Sequence, residues 1–566
     1  MRQATFPSGS ASGSGEGPGA ARGRALPALI LALVLALAAT LLAWWWPNRA
    51  QLAELPMPTD RLASVSFAPF RDGDSPLRGI FPTAAQVEED IRRIAPLVGG
   101  IRTYASIEGD YEVAEIAGRH GLRVWKGAWL GRDLAQNERE IGKLIEVANA
   151  HPQTVERVVV GNEVLLRRDL PPDVLARTLD RVRAAVRQPV TYADVWEFWV
   201  QYPEMAQHVD IVTIHILPYW EDEPLGTEAA MAHVAQVFRR IREMFPGKPI
   251  AIGEIGWPHS GRWREAAVPS RVEAARFLRE FAALSRAEGF DYNWIEAFDQ
   301  GWKYKNEGTV GAAWGLWGTD RTLNLPLSGA VQENPRWYLY AAAATALTLA
   351  LLAGAWRFFP AAVGWPMALL CAALGNALAL AWAGGVPYAF DSYRTVAVAG
   401  NLLGQAVLAL LLVRRAGRRL SGLPVEPPRN GAHATATVRD ALRLRLRWRD
   451  WRNWATDDLL FVFLWTAAFL QLCLLFDPRY RDFPFATFAV PLVAVVARAL
   501  LRDLPLRGGT WAEALAGGAL ALAAVASAVM EGPHNLQALG WSACALGLAA
   551  ASLIRLRRGP ALRAVG

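Results

Sequence analysis

The stretch Val155-Glu156-Arg157-Val158-Val159-Val160-Gly161-Asn162-Glu163 is a β-branched run that closes on a glycine, an amide and a carboxylate. It has a counterpart in Pro249-Ile250-Ala251-Ile252-Gly253-Glu254-Ile255-Gly256-Trp257-Pro258. A strand that is apolar at consecutive positions is covered on both faces, the condition of a parallel sheet wrapped by helices. Working outward, further short apolar runs lie near 63–69, 98–105, 121–128, 189–194, 209–216 and 291–298, making eight. Helical patterns over 84–96, 134–150, 172–187, 226–245 and 270–287 separate them, as right-handed crossovers between parallel strands require. Eight such units within residues 61–326 predict an α/β fold, a (β/α)8 TIM barrel.

Chemistry in such a barrel sits at the C-terminal ends of the strands. There the fourth run delivers Asn162-Glu163 and the seventh delivers Glu254. One acid at a strand end is as readily a helix cap or a salt-bridge partner. Two on opposite walls of one mouth point to a site.

Gly161-Asn162-Glu163 and Gly253-Glu254-Ile255-Gly256-Trp257-Pro258 resemble the two signatures of glycoside hydrolase family 17, the β-1,3-glucanase-like retaining enzymes. Ile101-Arg102-Thr103-Tyr104, Leu217-Pro218-Tyr219-Trp220, Phe298-Asp299-Gln300 with Lys303, and Trp314-Gly315-Leu316-Trp317 follow in the family's order. The chain departs from plant members at Gly311, where an acid is common, and at Asp299-Gln300, where they prefer Asn-Glu. The resemblance implies Glu254 as nucleophile and Glu163 as acid/base. It also implies a substrate-binding set of Asn162, Arg102, Tyr104, Tyr219, Trp220, Trp257, Asp299 and Lys303. In it Asn162 donates to a sugar 2-hydroxyl, and Tyr219 holds the nucleophile. Repulsion between two carboxylates about 5 Å apart would raise Glu163 by about two pKa units. The implied substrate is a β-1,3-glucan or gluco-oligosaccharide. Trp125, Trp129, Trp196, Trp220, Trp257, Trp302 and Trp314 all fall at or after strand ends, and Trp220 and Trp257 are expected to stack on sugar.

At 566 residues the chain exceeds one core, and 53% hydrophobic with 20% charged residues fits a mixture of soluble and membrane parts. The net charge of +7 comes from arginines beside apolar runs, so it reads as topology and not as a nucleic-acid surface. Cys371, Cys473 and Cys544 lie in apolar stretches and build neither a disulfide framework nor a thiolate metal site. No metal-ligand spacing and no Gly-rich phosphate loop occurs, so no metal and no cofactor is expected.

Residues 1–24 read as a disordered cytoplasmic tail, 25–46 as a transmembrane anchor and 47–60 as a linker. Residues 337–556 read as a polytopic region of about seven helices, near 337–356, 362–383, 394–413, 458–476, 484–501, 511–530 and 536–554. The patterns near 484 and 536 are the weakest. With eight spans, Arg414 to Arg449, Arg502 with Arg507, and Arg555 to Arg558 share the side of the N-terminus. The barrel and the segments 388–394, 477–483 and 531–535 then face outward. The basic cytoplasmic loop 414–456 could rest on anionic lipid, or serve only as a topology signal. Asn376, Gln405 and Gln471 could line a path or bond helix to helix.

The reading is therefore a multi-pass protein of a bacterial inner membrane with its catalytic domain in the periplasm. It would remodel or build β-1,3 (β-1,6) glucan by double displacement, as a retaining glycosidase or transglycosylase. Alternatives are a periplasmic glucanase that only hydrolyses, a nucleotide-sugar synthase, and a non-catalytic glucan-binding membrane protein. The largest predicted cytoplasmic loop is short and basic, which disfavours the synthase.

Overall fold

The β-branched runs form the strands they predict. In a computed structural model, eight parallel strands close in sequence order: β1 Val65–Ser66, β2 Gly100–Arg102, β3 Arg123–Ala128, β4 Val155–Asn162, β5 Val190–Val195, β6 Ile211–His215, β7 Ile250–Ile255 and β8 Asp291–Trp294. The structure describes residues 18–52, 61–358, 364–443, 445 and 453–557. The expected tail, linker and basic loop lie in part outside these, at 1–17, 53–60, 444 and 446–452.

The side-chain alternation of the strands sorts the barrel into two layers. Val158 and Val160 pack into the outer core beneath the helices, whereas Val159 joins Trp125, Ala193, Ile211 and Ala251 in a separate small cluster. Helices follow from caps and periodicity. Thr83 and Gln86 form a capping box at the start of Ala84–Ile94, Asp133 caps Leu134–Ala150, and Ser270 caps Arg271–Glu288. Gly289, at φ 72°, takes the left-handed position that ends the last of these. The helix Val113–Arg119 was not expected, its seven residues being too few to show periodicity. A two-residue antiparallel pair, Gln51–Leu52 with Ala330–Val331, ties the two ends of the barrel segment together.

Beyond the barrel, seven helices among the described residues are long and apolar enough to cross a membrane: Pro27–Trp45, Trp337–Phe358, Trp365–Tyr388, Ser392–Leu420, Thr456–Phe476, Trp511–Glu531 and Leu536–Arg555. The eighth expected span is a shorter apolar helix, Ala486–Leu500. The first helix begins at Pro18, within the segment read as a tail. It joins the others: the Trp44 indole donates to Asn376 Oδ1 at 3.0 Å, and Asn376 donates to Thr40 at 2.8 Å.

Gln471 donates to Ser527 at 2.8 Å and accepts from Trp541 at 2.6 Å, and Gln405 accepts from the Val490 amide at 3.0 Å. All three polar residues within the apolar helices thus bond helix to helix and not along a path. Two of the arginines read as topology-setting charges are buried and paired, Arg415 with Asp503 at 2.5 Å and Arg555 with Glu513 at 2.9 Å. Buried guanidinium groups require such partners.

Candidate active site

The end of β4 bends sharply to present its carboxylate. Gly161 sits at φ 87°, where a Cβ would come within 2.7 Å of Val164, and Glu163 itself adopts φ 52°. A non-glycine residue in the left-handed region costs of order 1–3 kcal/mol and is held there by its surroundings. Glu254 reaches the same mouth from within β7 and is 5% exposed. One oxygen of each carboxylate and a ring nitrogen of His215, the last residue of β6, lie within 4.8 Å of one another.

Arg102, fully buried at the end of β2, organises this group. Its Nη1 donates to the Gly253 carbonyl at 2.6 Å and lies 3.4 Å from Glu254 Oε1, and its Nη2 donates to Asn162 Oδ1 at 2.6 Å. The Asn162 oxygen is therefore occupied, while its NH2 stays available as a donor. Arg102 Nη1 also lies 3.3 Å from His215 Nε2. A guanidinium only donates, so Nε2 accepts and the proton sits on Nδ1, which donates to Glu163 Oε1 at 2.9 Å.

A second chain of bonds fixes Glu254. Asn293 donates to Ser66 Oγ at 2.7 Å, Ser66 lies 2.8 Å from the Tyr104 hydroxyl, and Tyr104 donates to Glu254 Oε1 at 3.0 Å. Burial and the charge of Glu254 push the Tyr104 hydroxyl well above its ordinary pKa, so it remains a donor.

Three expectations are corrected. Tyr219 does not bond Glu254: it is fully buried and donates to the Arg262 carbonyl at 2.6 Å, and Tyr104 bonds Glu254 instead. Trp257 offers no face to a sugar, because its indole donates to the Val268 carbonyl at 2.9 Å and its ring packs 5.2 Å from Phe277 in the core. Glu163 is shifted down, not up. Burial raises it, but the hydrogen bond from His215, with the charges of Arg167 and Arg102, prevails. Against the expected repulsion from Glu254 stand one hydrogen-bond donor and two guanidinium charges.

Asp299 divides its carboxylate among His259 at 2.9 Å, the Gly315 amide at 2.8 Å and Asn324 at 2.9 Å, so it braces the loop after β8. Lys303 approaches Glu296 at 3.4 Å. Trp220 lies half-buried and parallel to Trp314 with ring centres 6.2 Å apart, and Trp129 is 41% exposed beneath the Arg167 guanidinium. Trp129 is thus a better-exposed platform than Trp257.

Sequence reasoning missed His215 and Glu296. Both follow mostly apolar stretches, Ile211 to Ile214 and Tyr292 to Ile295, each interrupted by one polar residue, Thr213 or Asn293, a weaker form of the signal that marked Glu163 and Glu254. Glu296 is pushed up to about 7 by burial, reinforced by the charges of Asp299 and Glu254 and opposed by Lys303. Gly311 departs from the plant pattern, but the Glu307 side chain one turn earlier fills the space a Cβ there would take. Burial raises the Glu307 carboxyl, with the charges of Glu163 and Glu254 acting in the same direction and that of Lys303 against it.

Glu163, His215 and Glu254 are close enough to hold a cation, but the fixed guanidinium of Arg102 lies within 3.4 Å of both His215 and Glu254 and opposes one by charge. What the site provides is two carboxylates across a gap, one bonded to a histidine and the other to a tyrosine.

Residues 64–315 match the BtgE/BtgC glycoside hydrolase domain, a stretch that ends before the apolar helices from Trp337 onward. A glucan 1,3-beta-glucosidase of Schizosaccharomyces pombe is 27% identical over 255 residues, covering 42% of this chain and 79% of that protein. A glucan 1,3-beta-glucosidase of Saccharomyces cerevisiae is 23% identical over 271 residues, covering 44% and 87%. Among solved structures, a glycoside hydrolase family 17 beta-1,3-glucanosyltransferase from Rhizomucor miehei is similar over 47% of this chain and 98% of that one, with a TM-score of 0.42 and 23% identity. The barrel is an enzyme domain of the glycosidase and transglycosylase type.

Proposed function

We propose that the chain is a membrane-embedded, retaining β-1,3-glucan enzyme that transfers glucosyl segments by double displacement. The observation that carries this is the spacing of Glu163 and Glu254, whose oxygens approach within 4.8 Å. Retaining glycosidases hold their carboxylates about 5–5.5 Å apart, whereas inverting ones leave room for a water at about 6.5–9.5 Å. Glu254, positioned by Tyr104 and Arg102, attacks the anomeric carbon, and the bond to the leaving oxygen breaks. Glu163 gives that oxygen a proton, then takes one from the incoming acceptor hydroxyl or water. The Asn162 NH2, freed by the Arg102 bond to its oxygen, serves the sugar 2-hydroxyl.

Glu163 keeps 22% of its side chain exposed in the open cleft. A bound glucan adds to its burial, the one influence that already raises it, so substrate binding loads the acid with its proton. His215 works in the opposite sense. In His215→Phe the bond that lowers Glu163 is gone, so its pKa rises. An acid catalyst loses activity as pH climbs through its pKa, so the alkaline limb of the kcat/KM profile should move to higher pH. A pH-rate comparison checks this, and an unmoved limb would separate His215 from the acid.

The helical region would sit in a bacterial inner membrane with the barrel in the periplasm. Supporting this, Leu522 and Val529 are 76% and 77% exposed on the outside of the helix bundle, as lipid-facing residues are. The basic loop 414–456 would lie at the cytoplasmic surface against anionic lipid. A periplasmic barrel has no nucleotide sugar, so building glucan there must conserve the energy of an existing glycosidic bond in the covalent intermediate. Against water at about 55 M, a millimolar acceptor must be favoured by four to five orders of magnitude, about 6 kcal/mol. The purified full chain, given laminari-oligosaccharides of one length, should yield products longer than the donor. Only shorter products at every donor concentration would leave a plain glucanase.

A further inference from the structure

The segment Asp477–Phe483, between two helices of the membrane region, packs onto the rim of the barrel at the loops after β6, β7 and β8. Tyr480 meets Trp220 edge-on with ring centres 5.6 Å apart. The exposed side chain of Arg479 places its guanidinium 5.5 Å from the centre of the same indole and 5.7 Å from that of Tyr480. The approach is close at the backbone too. Gly308, at φ 66° and ψ −169°, faces the Tyr480 carbonyl oxygen so nearly that a Cβ would lie 2.0 Å from it.

Several contacts fix this arrangement. Arg262, 2% exposed, donates to the Arg481 carbonyl at 2.8 Å and pairs with Glu531. The Trp263 amide donates to Gln537 at 3.1 Å, and Asn535 donates to the Trp263 carbonyl at 3.0 Å. Tyr304 stacks on Phe390 at 5.2 Å. The rim in question borders the chemistry. Trp314, the partner of Trp220, lies 3.2 Å from the position of a Cβ on Gly256, two residues past Glu254. Glu307, adjoining Gly308, feels the charges of Glu163, Glu254 and Arg479 alike.

We propose that Arg479 and Tyr480 complete a glucosyl-binding subsite with Trp220, so that the substrate cleft is shared between the barrel and the membrane region. The Trp220 indole stacks on Trp314, has a half-buried tyrosine at its edge and lies under the exposed Arg479 guanidinium; a pyranose would take the place of that guanidinium on the ring, and the displaced arginine would offer several N–H donors to neighbouring hydroxyls. The ligand class is a neutral gluco-oligosaccharide. The subsite would hold the glucan against the outward surface of the helical region, so that one end of the chain is kept at the membrane while the other extends away. The inference rests on the β-glucan reading above.

The test compares full-length wild type, Arg479→Ala, Gly308→Ala and Arg481→Ala on laminari-oligosaccharides of two to eight units. Arg479 is exposed, so its loss leaves the fold intact. Arg481 pairs with Asp477 at 2.9 Å and serves as the control. Arg479→Ala should raise KM for the longer substrates about tenfold with kcat within twofold, leaving the disaccharide unaffected. Gly308→Ala, which pushes the loop off the rim, should do the same, and Arg481→Ala should change neither constant. Unchanged KM in Arg479→Ala at every length, with an active wild type, overturns the shared subsite and leaves the glucan reading standing. A wild type that neither cleaves nor extends any of these substrates overturns the glucan reading, and the subsite falls with it.

Discussion

Glu254→Ala is expected to lower turnover by about 10⁴-fold or more, which at 1.36 kcal/mol per decade is at least about 5 kcal/mol of lost transition-state stabilisation. The residue sits within β7, 5% exposed, held in place by the Tyr104 hydroxyl at 3.0 Å. Azide, small enough to occupy the vacated space, should restore turnover of an aryl β-glucoside. It attacks from the former position of Glu254 as the aryloxide departs, giving the α-glycosyl azide. Glu163→Ala should lose about 10²–10⁴ on natural substrates and little on one whose leaving group needs no proton. There azide would attack the glycosyl-enzyme on the opposite face and give the β-azide. The anomer of the product, read by NMR, therefore distinguishes the two carboxylates, and the same anomer from both variants would refute the assignment.

Arg102→Ala should be the most damaging substitution for the fold of the site. The guanidinium is fully buried and serves Gly253, Asn162 and Glu254 at once. Removing it strands a buried carboxylate and two buried acceptors, a loss of about 3–5 kcal/mol for a broken buried pair. Converted at about 2–4 °C per kcal/mol for a domain of this size, the barrel's thermal transition should fall by roughly 6–20 °C. Arg102→Lys keeps the charge but cannot span Asn162 and Gly253 together, so it should recover part of the stability and little of the activity. Thermal melts of tryptophan fluorescence, taken beside kinetics, check both statements. A melting point equal to wild type in Arg102→Ala would mean that the arginine is not the organiser of the mouth.

The barrel was legible because its signals are local. Val155 to Val160 and Ile250 to Ile252 announce buried strands by composition, and Glu163 and Glu254 stand out as acids closing them. What the chain order could not convey is which side chains meet across the barrel. That Arg102 of β2 reaches Asn162 of β4 and Gly253 of β7 depends on the register of strands separated by more than fifty residues. The same holds for His215 on Glu163, and this contact reverses the direction of the Glu163 shift. Tyr219 and Trp257 were misplaced because an aromatic after a strand end reads alike whether it faces sugar or core; the 0% exposure of both decides for core. In the helical region, apolar length located the seven long apolar helices among the described residues but not Ala432–Leu442, within the segment read as a basic loop, and the 15 residues of Ala486–Leu500 are fewer than the pattern over 484–501 suggested. Its first turn, Ala486–Phe488, is a 3-10 turn, and the α-helix proper runs only over Ala489–Leu500.

The central claim is a glycosyl-enzyme intermediate on Glu254, and trapping it is the most direct test. The full-length protein would be incubated with an activated 2-fluoro-β-glucoside, whose fluorine slows breakdown of the intermediate more than its formation, and its peptides examined by mass spectrometry. The account predicts a single glycosyl adduct on the peptide carrying Glu254, formed as activity is lost and released when a glucan acceptor is added. An adduct on Glu163, or inactivation with no adduct at all, would contradict it.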